Sequence, residues 1–229
     1  MYNEKLELFE SLAKELHLPF FKTYLTFDTY NRDGKLTHRH QQYGHSWTRN
    51  AYNFAFLTMA AKNPSDNTFG AGKLSAKDTG GIVRYNTGYP WVYIYNQSLD
   101  AVYGYRAAAG NSNYGIIIGS GITAESFEDY TLATKIAHGT GAGQLQYALS
   151  DAHSISYANL TLKNTLGRMF NNGSGGSVDV NEVGLVGRIY VYNTAYYFLL
   201  SRDVLVSTIT VPSTEQLRVA YSVSLVYPS

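Results

Sequence analysis

The sequence predicts a mainly β protein: an antiparallel β-sandwich of jelly-roll or immunoglobulin-like type, with an N-terminal helical arm and one further helix. Two observations support this prediction. The 229 residues include 21 tyrosines and 21 glycines, and tyrosine favours strands while glycine serves tight turns. In the second half of the chain, short apolar segments also follow one another with Gly-rich turns and no regular helices between them, which is typical of antiparallel sheets.

Two helices are predicted within the first 63 residues. In the first, Leu6, Phe9 and Leu16 recur at helical spacing, and a proline ends the helix shortly afterwards. The second is predicted to begin at Ser46, because serine is a favoured helix N-cap, and to end before Asn63-Pro64.

A hairpin is predicted between these helices. Residues 22–30 are rich in threonine and aromatics, and residues 31–34 (Asn-Arg-Asp-Gly) supply a turn whose glycine tolerates a positive φ. We therefore expect residues 1–63 to form an N-terminal arm of two helices and a hairpin. Residues 64–81 are expected to form a loop or linker, and residues 82–229 the β-sandwich body.

The last strand is the clearest in the chain. Between Leu217 and Tyr227 the apolar residues occupy every second position, a period of two that has no helical interpretation. The strand is predicted to pair with residues 204–211 across a Pro-Ser-Thr turn.

Composition and charge argue against several functional classes. Lys and Arg number 18 and Asp and Glu 17, so the chain lacks the bulk positive charge of many nucleic-acid-binding proteins. Cysteine is absent, which removes thiol catalysis and Cys-based zinc sites. The spacings of a nucleophile elbow, a dinucleotide fingerprint and a phosphate loop are not met. We expect no enzyme activity, no cofactor, no nucleic-acid partner and no membrane association, and the N-terminus has no signal-peptide pattern.

Three histidines precede the second helix. His38 and His40 are two residues apart, so on a strand both imidazoles face the same way, and His45 follows. Such a set can bind zinc with an open coordination position. The alternative is that they are polar residues hydrogen-bonded to backbone, and no Asp or Glu lies between Lys35 and Asn50 to orient a metal ligand. We expect no metal site, with these three histidines as the candidates if one exists.

The segment 85–105 is rich in aromatic residues. On a strand, Trp91, Tyr93 and Tyr95 share one face, and the rings would form an outward platform suited to a subunit interface if the other face enters the core. Burial of both faces and stacking of the rings on sugars are open alternatives. The residues predicted to form an interface are Leu6, Phe9, Leu16, Trp91, Tyr93, Tyr95, Tyr103 and Tyr105.

Several segments resemble structural proteins of tailed bacteriophages. They are His45–Asn53, Gly119–Thr123 continuing to Leu132, Val180–Leu185, and Ser201–Leu205 followed by a Thr-Val-Pro turn and a closing strand. The resemblance implies a virion component of the head or tail, and it carries over no catalytic residue.

The sequence therefore predicts a non-enzymatic virion structural protein, made in the host cytoplasm, that contributes to head or tail assembly. Its expected partners are copies of itself and other virion proteins. The alternative is a carbohydrate-binding or receptor-binding module that uses the aromatics of 85–105 on surface glycans. A third hypothesis is a metal-dependent enzyme at His38, His40 and His45.

Overall fold

The computed structural model describes residues 2–59, 75–84, 104–191 and 194–228. In these ranges strands are the dominant secondary structure, which confirms the predicted mainly β class with an N-terminal helix and one further helix. The elements are α1 (Tyr2–Glu15), β1 (Phe20–Tyr30), β2 (Leu36–Gly44), α2 (Arg49–Met59), β3 (Ala76–Lys77), β4 (Val83–Arg84), β5 (Gly115–Gly119), β6 (Gln146–Ser150), β7 (Ser154–Ala158), β8 (Thr161–Asn171), β9 (Val178–Val191), β10 (Thr194–Val211) and β11 (Gln216–Val226).

Two antiparallel sheets form the sandwich. The larger has the strand order β2-β1-β11-β8-β6, with β7 also paired to β8, and the smaller has the order β10-β9-β5. Strands β3 and β4 form a separate two-stranded ribbon.

The main hydrophobic core lies between the two sheets. Alternate residues of β11, including Leu217, Val219 and Tyr221, are buried from the larger sheet. The three isoleucines of β5 and much of β9 and β10 meet them from the smaller sheet. Because each strand turns one face inward, apolar burial stabilises the pairing of both sheets together.

A second apolar layer covers the outer face of the smaller sheet. The ring of Phe54 in α2 packs edge-on against Phe198 of β10, with centroids 5.2 Å apart. Ile189 and Leu200 complete this cluster. Neither helix in the described part of the chain has the length and apolar character needed to cross a bilayer.

The hairpin assigned above to an N-terminal arm is part of the main sheet. Its turn forms as predicted, since the Asn31 side-chain oxygen accepts the amides of Asp33 and Lys35 at 3.0 and 2.9 Å. However, β1 pairs along its whole length with β11, and Leu25 and Phe27 are fully buried in the core. The hairpin is therefore an integral part of the sandwich.

The predicted partner of the last strand is wrong. β11 pairs with β1 and β8, whereas β10 pairs with β9 in the other sheet. The chain after Val211 thus crosses from one sheet to the other, because β10 and β11 bury apolar faces against the core from opposite sides.

A buried arginine holds the loop before β5 against the sandwich. Arg168 of β8 is fully buried, and its guanidinium lies 4.8 Å from the centre of the Tyr147 ring. Its five N–H groups donate to the backbone carbonyls of Ala148, Tyr114, Ile116, Ala108 and Asn111. Burial lowers the pKa of Arg168 to about 10, so the side chain is still a cation at neutral pH.

Candidate functional site

Helix α1 has an exposed apolar stripe. Leu12 follows Leu8 by four residues and Phe9 by three, and Leu16 follows Leu12 by four, so the four side chains share one side of the helix and are between 44% and 69% exposed. We call these four residues the α1 apolar surface. Two further exposed apolar residues follow, Leu18 after the helix and Phe21 in β1.

The opposite side of α1 is attached to the sandwich. Leu6 is partly buried, and the carboxylate of Glu10 lies 3.1 Å from the ammonium of Lys22 in β1. Partial burial alone would raise the pKa of Glu10, but the contacts with Lys22 and Lys14 outweigh it and lower the pKa. Polar contacts thus set the orientation of α1 while its apolar stripe faces solvent.

The structure separates the predicted interface residues. Phe9 and Leu16 lie on the α1 apolar surface, whereas Leu6 is on the attached side. Trp91, Tyr93, Tyr95 and Tyr103 lie outside the described residues, so their predicted platform stays a prediction.

Tyr105 packs inside the sandwich and does not lie on an outward platform. It is partly buried and contacts both hydrophobic clusters. Burial raises the pKa of its phenol to about 12. It also lines an apolar cavity of about 330 Å³ that extends to Phe21 and Trp47. For this residue, internal packing is the alternative that the structure favours.

A cluster of ionisable side chains lies at the end of β2. The Nδ1 atom of His45 is 3.7 Å from Oδ1 of Asp203, and its Nε2 atom is 3.9 Å from Oε1 of Glu125. One ligand-type atom from each of the three residues falls within 4.8 Å of the others. The three come from different parts of the fold: the residue after β2, the middle of β10 and the loop after β5.

Two irregularities in β10 place Asp203 in this cluster. The register between β10 and β9 shifts between Leu199 and Ser201 and again between Val204 and Ile209. The segment after β2 pairs with β10 here, since the Arg202 amide donates to the Ser46 carbonyl at 3.0 Å. Such irregularities redirect side chains out of the regular alternation.

Gly44 allows the end of β2 to approach β10 closely. A Cβ atom at this position would lie 2.8 Å from Cγ2 of Thr23 and 3.2 Å from Oδ2 of Asp203. A larger residue would therefore push β2 away from the strand that carries Asp203. Glycine is required here for close approach, not for an unusual φ.

Asp203 is a fully buried carboxylate held by three hydrogen bonds. Its Oδ1 accepts the amides of His45 at 2.7 Å and Ser46 at 3.3 Å, and its Oδ2 accepts the hydroxyl of Ser201 at 2.9 Å. Tyr221 in turn donates to Ser201 at 2.5 Å. Burial raises the pKa of Asp203, because desolvation of the charge outweighs these bonds and the attraction of His45.

Glu125 is positioned by the backbone of β10 and by a neighbouring ion-pair network. Its Oε1 accepts the Val204 amide at 2.7 Å. The adjacent carbonyls of Thr123 and Ala124 accept the guanidinium of Arg202, at 2.7 and 3.3 Å. The loop bearing Glu125 is thus fixed to the same stretch of β10 that bears Asp203.

The predicted group of three histidines does not form. His38 and His40 lie further along β2, opposite Thr29 and Phe27 respectively. The His40 ring contacts the Gln42 side chain at 3.0 Å, whereas the alternative interpretation expected a backbone partner. Only His45 of the three belongs to the ionisable cluster among the described residues.

Sequence reasoning missed the partners of His45 because they are distant in the chain. No carboxylate lies between Lys35 and Asn50, and those beside His45 belong to Glu125 and Asp203. Asp203 shows no local motif, and its position depends on the β10 irregularities. Ser46, predicted as the N-cap of α2, instead places its hydroxyl 2.8 Å from Nδ1 of His45, and α2 begins at Arg49.

The cluster does not have the geometry of a serine nucleophile site. In such a site the serine and the carboxylate contact opposite ring nitrogens of the histidine. Here the Ser46 hydroxyl and the Asp203 carboxylate both approach Nδ1. The arrangement instead offers one imidazole and two carboxylates around a common point, which is a donor set for a cation.

Comparison with protein-family models, with curated proteins and with solved structures gives no match to this chain. The interpretation of both the α1 apolar surface and the His45 cluster therefore depends on their own geometry.

Proposed function

We propose that this chain is a non-enzymatic structural protein of a tailed-phage virion and that it binds neighbouring subunits through the α1 apolar surface. The observation that carries the proposal is the exposure of six large apolar side chains within residues 8–21. Contiguous apolar surfaces of this kind on soluble proteins mark interaction sites.

Burial of the α1 apolar surface against a partner would be energetically favourable. Full burial of a leucine or phenylalanine contributes roughly 1.5–3 kcal/mol relative to exposure. Four such residues on a helix about 21 Å long form an anchor of the helix-in-groove kind. In a symmetric assembly the same contact is repeated in every subunit, so a modest pairwise affinity is sufficient.

The assignment to a phage particle is supported by the resemblance and by where its segments lie. Residues 45–53, 119–123, 180–185 and 201–205 are far apart in sequence but contact one another. His45 bonds to Asp203, Gly121 bonds to Glu182, and Glu182 bonds to Arg202. The resemblance thus falls on segments that contact one another in the fold.

Light scattering on the full chain tests the role of α1. The wild-type protein is expected to show a mass that is a multiple of 25.4 kDa. Phe9→Asp and Leu16→Asp are expected to reduce it towards the monomer, because a charge on the α1 apolar surface opposes its burial.

The matched control is Ser11→Asp, which adds the same charge to an exposed position of α1 away from the stripe. It should leave the mass unchanged. A wild-type mass of one chain at every concentration, or equal loss of mass in the control, would contradict self-association through this surface.

A further inference from the structure

We propose that His45, Glu125 and Asp203 bind one divalent transition-metal ion of the Zn²⁺ type, which links β2, β10 and the loop after β5. This inference is independent of the proposed role in a virion.

The spacing of the donor atoms is close to that of a metal centre. In tetrahedral Zn²⁺ sites with bonds of about 2.0–2.1 Å, neighbouring donors are about 3.4 Å apart. With one donor atom taken from each residue, the donors of His45, Glu125 and Asp203 lie within 4.8 Å of one another, and Nε2 of His45 is 3.9 Å from Oε1 of Glu125. Side-chain movements that shorten these separations by about 1.4 Å or less bring the donors to the spacing of a bound ion.

One ligand is fully buried and two are partly exposed. Asp203 is held by three hydrogen bonds, so its carboxylate is already oriented. The side chains of His45 and Glu125 are 31% and 21% exposed, which leaves a path for an ion to enter. A fixed carboxylate beside two partly exposed donors is a suitable start for a site with an open coordination position.

The charge balance favours a cation. Among the described residues, the ion pairs of Glu125 and Asp203 both involve His45. The nearest arginine in sequence, Arg202, is engaged with Glu182 and Asp129. A divalent ion would neutralise both carboxylates at once.

The donor types favour Zn²⁺ over Ca²⁺ and Mg²⁺. Imidazole is a preferred ligand of Zn²⁺, whereas Ca²⁺ and Mg²⁺ favour sites made of oxygen alone. Supporting contacts to each ligand are also present. Ser201 holds Asp203, the Val204 amide holds Glu125, and the Ser46 hydroxyl contacts the His45 ring.

The first experiment measures binding to the full chain. Protein dialysed against a chelator is titrated with Zn²⁺ by calorimetry, with Mg²⁺ and Ca²⁺ titrated separately, and with Co²⁺ to report ligand geometry by its visible absorption. We expect one equivalent of Zn²⁺, a higher Tm on binding, and no comparable binding of Mg²⁺ or Ca²⁺.

Single substitutions test which side chains bind the Zn²⁺ ion. His45→Gln and Glu125→Gln should each weaken Zn²⁺ binding by at least about tenfold. The amide oxygen of Glu125→Gln can still accept the Val204 N–H, so this variant should fold. The control His38→Gln removes an exposed histidine of β2 outside the cluster and should bind Zn²⁺ as the wild type does.

The proposal is overturned if the wild-type chain binds no stoichiometric Zn²⁺. It is also overturned if Glu125→Gln and His45→Gln, shown to be folded by circular dichroism, bind Zn²⁺ as tightly as the wild type, or if His38→Gln loses binding to the same extent as they do.

Discussion

The guanidinium of Arg202 donates to the carboxylate of Glu182 at 2.7 Å, and neither side chain is more than 2% exposed. Glu182 also accepts the backbone amides of Gly121, Ala133 and Thr134. The pair therefore fixes the loop after β5 to the smaller sheet through charged groups in place of apolar packing.

Removing one member of this pair should destabilise the fold strongly. Glu182→Gln leaves the Arg202 charge with Asp129 as its remaining carboxylate partner and weakens the bonds to three amides. We expect a loss of about 3–5 kcal/mol in the free energy of unfolding, measured by urea denaturation. The double variant Glu182→Leu/Arg202→Met should lose less than the sum of the single variants. A loss below about 1 kcal/mol for Glu182→Gln would show that the pair is not a main structural contact.

Arg168→Lys should destabilise the protein although it keeps the charge. Lysine has three donors, so at least two of the five carbonyls that accept from Arg168 would lose that hydrogen bond. Each unsatisfied buried carbonyl costs about 1–3 kcal/mol, so we expect a loss of at least about 2 kcal/mol. Hydrogen exchange should also become faster in the loop before β5.

The control for this substitution is Arg218→Lys. Arg218 contacts Asp151 at 2.7 Å, but both side chains are more than a third exposed. Exposed ion pairs contribute little, so a change within about 0.5 kcal/mol is expected. Equal losses in the two variants would contradict the role assigned to Arg168.

Asp28 should make stability fall in acid. The hydrogen bond from Arg39 lowers the pKa of Asp28 below its ordinary value of 3.8, although burial acts in the opposite direction. A carboxylate whose pKa is lower in the folded state contributes stability above pH 3.8 and loses it as pH falls through the folded pKa. The stability difference between wild type and Asp28→Asn should therefore shrink below pH 4. A pH-independent difference in chemical denaturation from pH 2 to 7 would contradict this reasoning.

Gly44→Ala should disturb the junction of the two sheets. The new methyl group would meet Thr23 at 2.8 Å, closer than side chains tolerate. Overpacking of this kind costs roughly 1–3 kcal/mol and should lower Tm. Gly176→Ala, where the added methyl has no neighbour within 4 Å, is the matched control and should leave Tm nearly unchanged.

Local patterns in the sequence predict the strand-rich class, the first hairpin and the inward face of β11, because these depend on alternation and on turn residues within a few positions. The partners of β11 were mispredicted, since pairing order depends on which apolar faces meet across the core. The positions of Arg168, Glu182 and Asp203 show no periodic signal. Their burial is acceptable only because partners distant in sequence satisfy them, and a single sequence does not show those partners.

The site was predictable only in part. Phe9 and Leu16 were expected at an interface from helical spacing, and both are exposed. Spacing alone did not predict that Leu6 would be turned inward, because this depends on the Glu10–Lys22 contact. His45 was singled out with His38 and His40, but its neighbours Glu125 and Asp203 are brought to it by irregular pairing of β10.

The most direct test of the central claim is the protein composition of purified tailed phage particles produced from the genome that encodes this chain. Mass spectrometry of gradient-purified, salt-washed particles should find the chain in a fixed copy number. Particles carrying Phe9→Asp should lose it, and those carrying Ser11→Asp should retain it. Absence of the wild-type chain from such particles would contradict the account.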